Sequence, residues 1–300
     1  MTHEILPGIF EIRTPLPEGF VTAFLIVREG RALLVDSGPE KAAPEIFDLL
    51  KKLGLAETDL QFLINTHSHP KHIGGNGPIK SRAHCQIVAH PEAVPRIEDH
   101  TLLLNEVYDQ FGQYWPATDA FKMHFFETLG QPARVDAPAR FERPFGQAPF
   151  EEIQLIPLPG HQNDCLGVFF PREGLLFAGD AVQRRGLGNR FQQIEERQAY
   201  LDSLNRIRNL NPRWLFLSHF EPLTGGALDE FLDQSEAAVW EIDYRIATVK
   251  QQLGENAPLW DVAQAVHEGA NKELSFAGLL TIRAHLREEE QLHFEARQEL

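Results

Sequence analysis

The sequence predicts a mixed α+β fold closed by a small helical appendage, and three observations carry that prediction. Short β-type runs broken by turn signals fill the N-terminal region, and later β-type runs end in single polar residues. Beyond Gly225-Gly226 the pattern turns helical.

The N-terminal runs are "GIFEIRT", "FVTAFLIV" and "RALLVDSG", with Glu29-Gly30 as a tight connection between the last two, so the chain should open as a β-meander. In "APEIFDLLKKLG" the apolar residues Ile46, Leu49, Leu50 and Leu53 fall at helical spacing, and Gly54 supplies the stop. "LQFLIN" reads as a buried strand, and the loop "THSHPKHIGG" follows it directly. Three more β-type runs, "IQLIPLPGH", "GLLFAGD" and "RWLFLSH", end in His161, Asp180 and His219. Four strands thus deliver polar residues at their C-terminal ends, where strand-and-helix folds build their sites.

Residues 92–150 differ in character: "HTLLLNEVYDQFGQYW" is helical in pattern, and seven aromatics lie between Tyr108 and Phe126. Two readings stand. The segment is a helical excursion burying its own small core or forming a homodimer contact, or it is a lid that gives a substrate an apolar wall. After Gly226 three helical stretches and a short closing strand are expected, a winged-helix-like module over 226–300 appended to a main domain over 1–225. Such modules often bind DNA, yet this one carries 15 acids and 6 bases, a net of −9. Packing or dimerisation suits it better.

Composition narrows the function classes. Three hundred residues with 43% apolar content suffice for a large domain with a real core plus a smaller one. A formal charge of −15 disfavours a general nucleic-acid binder, whose affinity rests on clustered Lys and Arg. The opening "MTHEILPGIF" lacks the basic patch and apolar run of a signal peptide, and "FVTAFLIV" is far short of the roughly 20 residues that span a bilayer. Cys85 and Cys165 have no CxxC spacing, so neither a disulfide framework nor a thiolate zinc cage is indicated. A reducing, cytoplasmic setting is expected.

His67 and His69 are two apart, so in an extended strand end their imidazoles share one side, and a following turn can bring His72 beside them. Imidazole suits zinc, which takes about four ligands. With His161, Asp180 and His219 arriving in order after their strands, the chain resembles the metallo-β-lactamase superfamily over roughly residues 5–225. That family's pattern is His-x-His-x-Asp-His, a His after Pro-Gly, an Asp closing a Gly-Asp strand end and a last His. Asp36 in "LVDSG" resembles its Asp-x-Gly turn.

The resemblance implies an αββα sandwich with metal at the sheet edge. It also implies a first metal on His67, His69 and His161, a bridging Asp180, and a second metal on Asp180, His72 and His219. The C-terminal helices are similar to the tail of the lactamase-beta-like hydrolase branch, which includes thioesterases and an endoribonuclease. In the ligand set one letter departs: where the family has its second-site aspartate, this chain has Lys71, and "PGHQNDCLG" and "SHFEP" also differ from the commoner family wording, which bears on substrate class and not on fold. An ammonium there repels a second divalent ion, so one metal per chain is expected, Zn²⁺ or alternatively Fe²⁺. Lys71 either pairs with Asp180 in the vacated place or swings to solvent.

The expected activity is hydrolysis of an ester, thioester or lactone in a small-molecule acyl substrate, with metal-activated water as nucleophile. Asp180 would orient the water, His72 or His219 would shuttle a proton or polarise the carbonyl, and Lys71 would stabilise the oxyanion. The alternatives are an iron oxygenase of the persulfide type and a catalytically silent metal-binding module. Phosphodiester cleavage is disfavoured by the acidic surface and the disabled second site.

Overall fold

The computed structural model describes residues 2–298 apart from Gln113 and Glu142, with side chains described through residue 287. Gln113, inside the predicted helical stretch 100–115, lies outside the described residues. The chain divides into two units. The first comprises residues 1–157, 164–180 and 213–222; the second comprises 158–163, 181–212 and 223–300.

The first unit holds two sheets. One runs in the order β1 (Thr2–Leu6), β2 (Ile9–Leu16), β3 (Gly19–Arg28), β4 (Arg31–Val35), β5 (Leu60–Ile64), β6 (Gln86–Ala89) and β7 (Ala137–Pro138). Its first four strands form the expected antiparallel meander, and β4 to β7 are parallel. In the other sheet β8 (Gln154–Pro157), β9 (Leu166–Phe170) and β10 (Leu175–Gly179) are antiparallel neighbours, and β11 (Trp214–Leu217) lies parallel to β10.

Side-chain alternation explains how the first sheet is buried on both faces. Leu25, Leu34, Leu63 and Ile87 face a core shared with Ile46 and Leu50 of the helix Ala43–Lys52 and with Ile79 of the helix Asn76–Ala83. Their neighbours Phe24, Ile26, Leu33, Phe62, Ile64 and Val88 face the opposite way, against Leu155, Val168, Phe170, Phe177 and Phe216 of the second sheet. Between the sheets Phe177 and Phe216 stack at 4.5 Å, and Phe24 meets their edges at 5.1 and 5.5 Å. Truncating one such buried ring to alanine costs about 3–5 kcal/mol.

Described buried residues of the aromatic segment join the main core. Leu103, Leu104, Val107, Phe125 and Leu129 belong to the same cluster as Leu25 and Ile46, with Tyr108 and Phe121 packed on its margin. Its backbone comprises two short helices (Val94–Glu98 and His100–Leu103), a π-turn (Leu104–Tyr108) and the helix Asp119–Leu129.

The second unit contains the helices Arg197–Leu210, Gly226–Leu253, Leu259–Gly269 and Phe276–Gln298. The helices expected after Gly226 are present. Where a closing strand was expected, the last helix runs on, and no strand occurs among the described residues from 226 onwards. No helix among the described residues is long and apolar enough to cross a membrane.

Candidate metal centre

Parallel pairing of β4 with β5 and of β10 with β11 brings the C-terminal ends of each pair together, and the polar residues of the first unit follow those ends. Asp36 follows β4, His67 and His69 follow β5, Asp180 follows β10, and His219 follows β11. Gly179 makes the approach possible. Its φ is +56°, and a Cβ there would stand 2.3 Å from Thr66 Oγ1, so only glycine lets β10 end against the ligand loop.

Asp36 is the keystone of that loop. It holds a left-handed backbone, φ +60°, which an aspartate tolerates better than most residues. Its Oδ1 accepts from the Thr66 backbone N–H at 2.7 Å, and its Oδ2 accepts from the Thr66 hydroxyl at 2.8 Å. Oδ2 also lies 2.8 Å from His72 Nδ1. The carboxylate therefore fixes the His72 proton on Nδ1 and turns Nε2 inward, where it stands 3.4 Å from Asp180 Oδ2. His219 is set in the same way: Nδ1 donates to the Phe20 carbonyl, so Nε2 carries the lone pair.

His67, His69, His72, Asp180 and His219 are all buried. His67, His69 and Asp180 present ligand atoms within 4.8 Å of one another, and so do His72, Asp180 and His219. His67 Nε2 and His69 Nδ1 face each other at 3.1 Å, and His67 Nε2 is 3.9 Å from Asp180 Oδ2. Imidazole nitrogens about a tetrahedral zinc, with bonds of roughly 2.0–2.1 Å, sit some 3.3 Å apart. The donor set of buried imidazoles beside a buried carboxylate therefore fits a divalent ion.

Lys71 does not swing to solvent. Its Nζ lies 2.9 Å from Asp180 Oδ2 and 2.6 Å from His219 Nε2, so the ammonium stands among the second trio. Burial works against ionisation of Asp180, but His219, Lys71 and His72 outweigh it and hold the carboxyl well below its usual range. Burial pushes His219 down, and Lys71 and His72 add to that push against Asp180, whose Oδ2 lies 3.1 Å from His219 Nε2. Burial also pushes His72 down, yet Asp180 and Asp36 together raise it overall.

His161 belongs to the second unit. It is buried in its Pro-Gly-His turn, and Nδ1 lies 3.0 Å from the Gln193 carbonyl, which turns Nε2 the other way. Gly160 before it has φ +130°, and a Cβ there would lie 2.3 Å from the Tyr200 Cα.

Sequence reasoning missed two neighbours of the site, Thr66 and Asp164, and read a third, Tyr108, only as part of the aromatic segment. Tyr108 places its ring 6.4 Å from that of His69. Thr66 bridges Asp36 and His67, its hydroxyl 3.0 Å from His67 Nδ1. Asp164 lies fully buried behind Ser68. Thr66 left a signal as the residue opening the histidine motif, and Tyr108 as one of the clustered aromatics.

A family profile described as the metallo-β-lactamase superfamily matches residues 16–219. The lactamase-like protein aptB of Emericella nidulans is 25% identical over 233 residues, 77% of this chain and 60% of that protein. A hydroxyacylglutathione hydrolase of Thermosynechococcus vestitus is 29% identical over 60% of this chain and 55% of its own length. One of Rhodopseudomonas palustris is 25% identical over 76% of this chain and 74% of its own length. The chain thus spans somewhat over half the length of the first two relatives. Among solved structures, a metallo-β-lactamase family protein from Thermus thermophilus superposes with a TM-score of 0.73 at 21% identity, covering 96% of this chain and 95% of that one. A β-lactamase domain protein from Burkholderia ambifaria gives 0.68 at 20% identity, over 95% and 86% of the two chains. The two-sheet unit, the polar residues at its strand ends and the matching profile lead to one conclusion: the chain belongs to the metallo-β-lactamase superfamily.

Proposed function

We propose that the chain is a hydrolase that uses one divalent ion, Zn²⁺ before Fe²⁺, to cleave an ester, thioester or lactone in a small acylated molecule. The observation that carries this reading is the convergence of the His67 and His69 ring nitrogens beside the buried Asp180. His161, whose tautomer is set by Gln193, is the proposed third imidazole. When bound, the ion supplies Lewis acidity, acidifying water near neutral pH and withdrawing electrons from an acyl carbonyl.

The side chains do the rest. Asp180, held ionised by its surroundings, accepts a hydrogen bond from the attacking water and orients it. Lys71 takes the role of a second cation: its ammonium, fixed by Asp180 and His219, donates to the negative oxygen that develops on the carbonyl. His219, with its lone pair on Nε2, takes up through Lys71 the proton that the attacking water loses and returns it to the departing oxygen or sulfur, and His72 holds Asp180 from the other side. Relatives named hydroxyacylglutathione hydrolase support an acyl substrate.

Elemental analysis of the purified protein, followed by a panel of esters, thioesters and lactones, tests the reading. The expected result is one metal equivalent and turnover that chelation removes and Zn²⁺ restores. A metal-loaded protein inert towards every member of the panel overturns it. Bound iron with oxygen consumption would instead support the oxygenase alternative.

A further inference from the structure

Behind the histidine motif, on the side of Ser68, lies an acid that the mechanism above does not use. Asp164 is fully buried, as is Ser68 beside it. The Ser68 hydroxyl and backbone N–H face the carboxylate, and Arg96 Nη1 stands 3.8 Å from Oδ2. Arg96 is itself held by Glu106, with Nε 3.0 Å from Oε2. Glu106 sits on the π-turn Leu104–Tyr108, two residues before the Tyr108 ring that approaches His69. A chain of charge thus runs from the aromatic segment through Arg96 and Asp164 to Ser68, the residue between His67 and His69.

A buried carboxylate with one distant ionic partner is costly to keep. Burial raises the Asp164 carboxyl above its usual range, and Ser68, Arg96 and the nearby His90 recover only part of the loss. An asparagine of the same shape would avoid the cost, so stability alone does not explain an acid at this position. Its partner does: Ser68 has no freedom that His67 and His69 do not share.

We propose that Asp164 is a positioning residue: through Ser68 it sets the aim of the His67 and His69 imidazoles, and through Arg96 and Glu106 it couples that aim to the turn carrying Tyr108. This rests on the metal-site reading above, and the test separates the two. The Co²⁺-substituted wild-type protein is titrated against a chelator while its visible absorption bands are recorded. The same is done for Asp164→Asn, Asp164→Glu and Arg96→Met, and the thermal midpoint of each apo protein is measured.

In Asp164→Asn, Co²⁺ affinity should fall about 10–100-fold, the usual effect of removing a group that orients metal ligands, and the bands should shift. The apo midpoint should not fall, because a buried charge has been removed. Arg96→Met should move affinity in the same direction by less, and Asp164→Glu should recover part of it. Asp164→Asn with affinity within twofold and unchanged bands overturns the positioning role while leaving the metal site intact. A wild-type protein that takes up no Co²⁺ overturns both readings. A drop in affinity that merely tracks a lower apo midpoint would mark Asp164 as structural and overturn the proposal.

Discussion

Lys71 Nζ lies 2.9 Å from Asp180 Oδ2, and the same ammonium is 2.6 Å from His219 Nε2. A side-chain cation therefore stands among His72, Asp180 and His219, the three residues whose ligand atoms otherwise converge as a cation site. Two unit charges a few ångströms apart repel by about 4 kcal/mol at an effective dielectric near 20, and a divalent ion doubles that. Given excess Zn²⁺, the wild-type protein should bind close to one tight equivalent. Lys71→Asp should approach two, and Lys71→Met, which removes repulsion without adding an oxygen, should give intermediate second-site affinity. Calorimetry with elemental analysis measures this, and two tight equivalents in the wild type would refute exclusion by Lys71.

The two trios make different demands. His67→Ala removes a nitrogen from the His67–His69–Asp180 set and should weaken the single tight ion at least 100-fold. His219→Ala should keep that ion and lose turnover, because it removes the group that anchors Lys71. Metal retention in His67→Ala, or metal loss in His219→Ala, would exchange the roles of the two sets. Chelator competition reads both variants.

Much of this was legible in the sequence, and the residues that were not share a physical cause. Strand-end polar residues announce themselves because side-chain alternation and parallel pairing fix where a strand's last residue points. Lys71 was visible as a departure, but its direction was not: a four-carbon stem reaches solvent or Asp180 equally well until the backbone is placed. Asp164 reads as an ordinary turn acid in "HQNDCLG", and only contacts with Ser68 and Arg96, far away in sequence, make it a buried charge. The aromatic segment was visible as composition. Its membership of the main core was not, since Phe125 and Leu129 share that core with Leu25 and Ile46, far away in sequence.

Tyr108 gives the aromatic segment a test. Its ring lies 6.4 Å from His69 and packs against Phe121 at 5.5 Å and Phe125 at 5.3 Å. If this wall receives the acyl group, Tyr108→Ala should raise KM about tenfold, the equivalent of ~1.4 kcal/mol of lost aromatic contact, with metal content unchanged. Trp115→Ala, further along the segment, should shift acyl-chain preference in the same direction. An unchanged KM with loss of an oligomer would assign the segment to self-association instead.

The cysteines predict a chemical silence. Cys85 is buried, and burial pushes its thiol up to about 12, while Cys165 is also buried. At pH 8 the native protein should react with a thiol reagent only as fast as it unfolds, and denaturant should release both thiols at once. A fast native equivalent would reveal an opening around one of them.

The second unit carries its own pH signature. Arg197 Nε donates to Asp243 at 3.0 Å, and His285 Nδ1 lies 2.6 Å from the same carboxylate, so one acid links the helices Arg197–Leu210, Gly226–Leu253 and Phe276–Gln298. Burial raises the Asp243 carboxyl, but its bonds from His285 and Arg197 outweigh that, and the net shift is downward. A depressed carboxyl binds fewer protons folded than unfolded, so its contribution is complete above the ordinary value of 3.8 and is lost as pH falls through the folded value. Asp243→Asn should therefore destabilise the protein by about 1–2 kcal/mol at pH 7, where a charged acceptor is replaced by a neutral one. Denaturant melts at pH 7, 5, 4 and 3 should show the gap between wild type and variant constant down to about pH 5 and closing below pH 4. A gap that widens on acidification would mean that Asp243 is protonated more readily in the folded chain, and that its two donors do not hold it ionised.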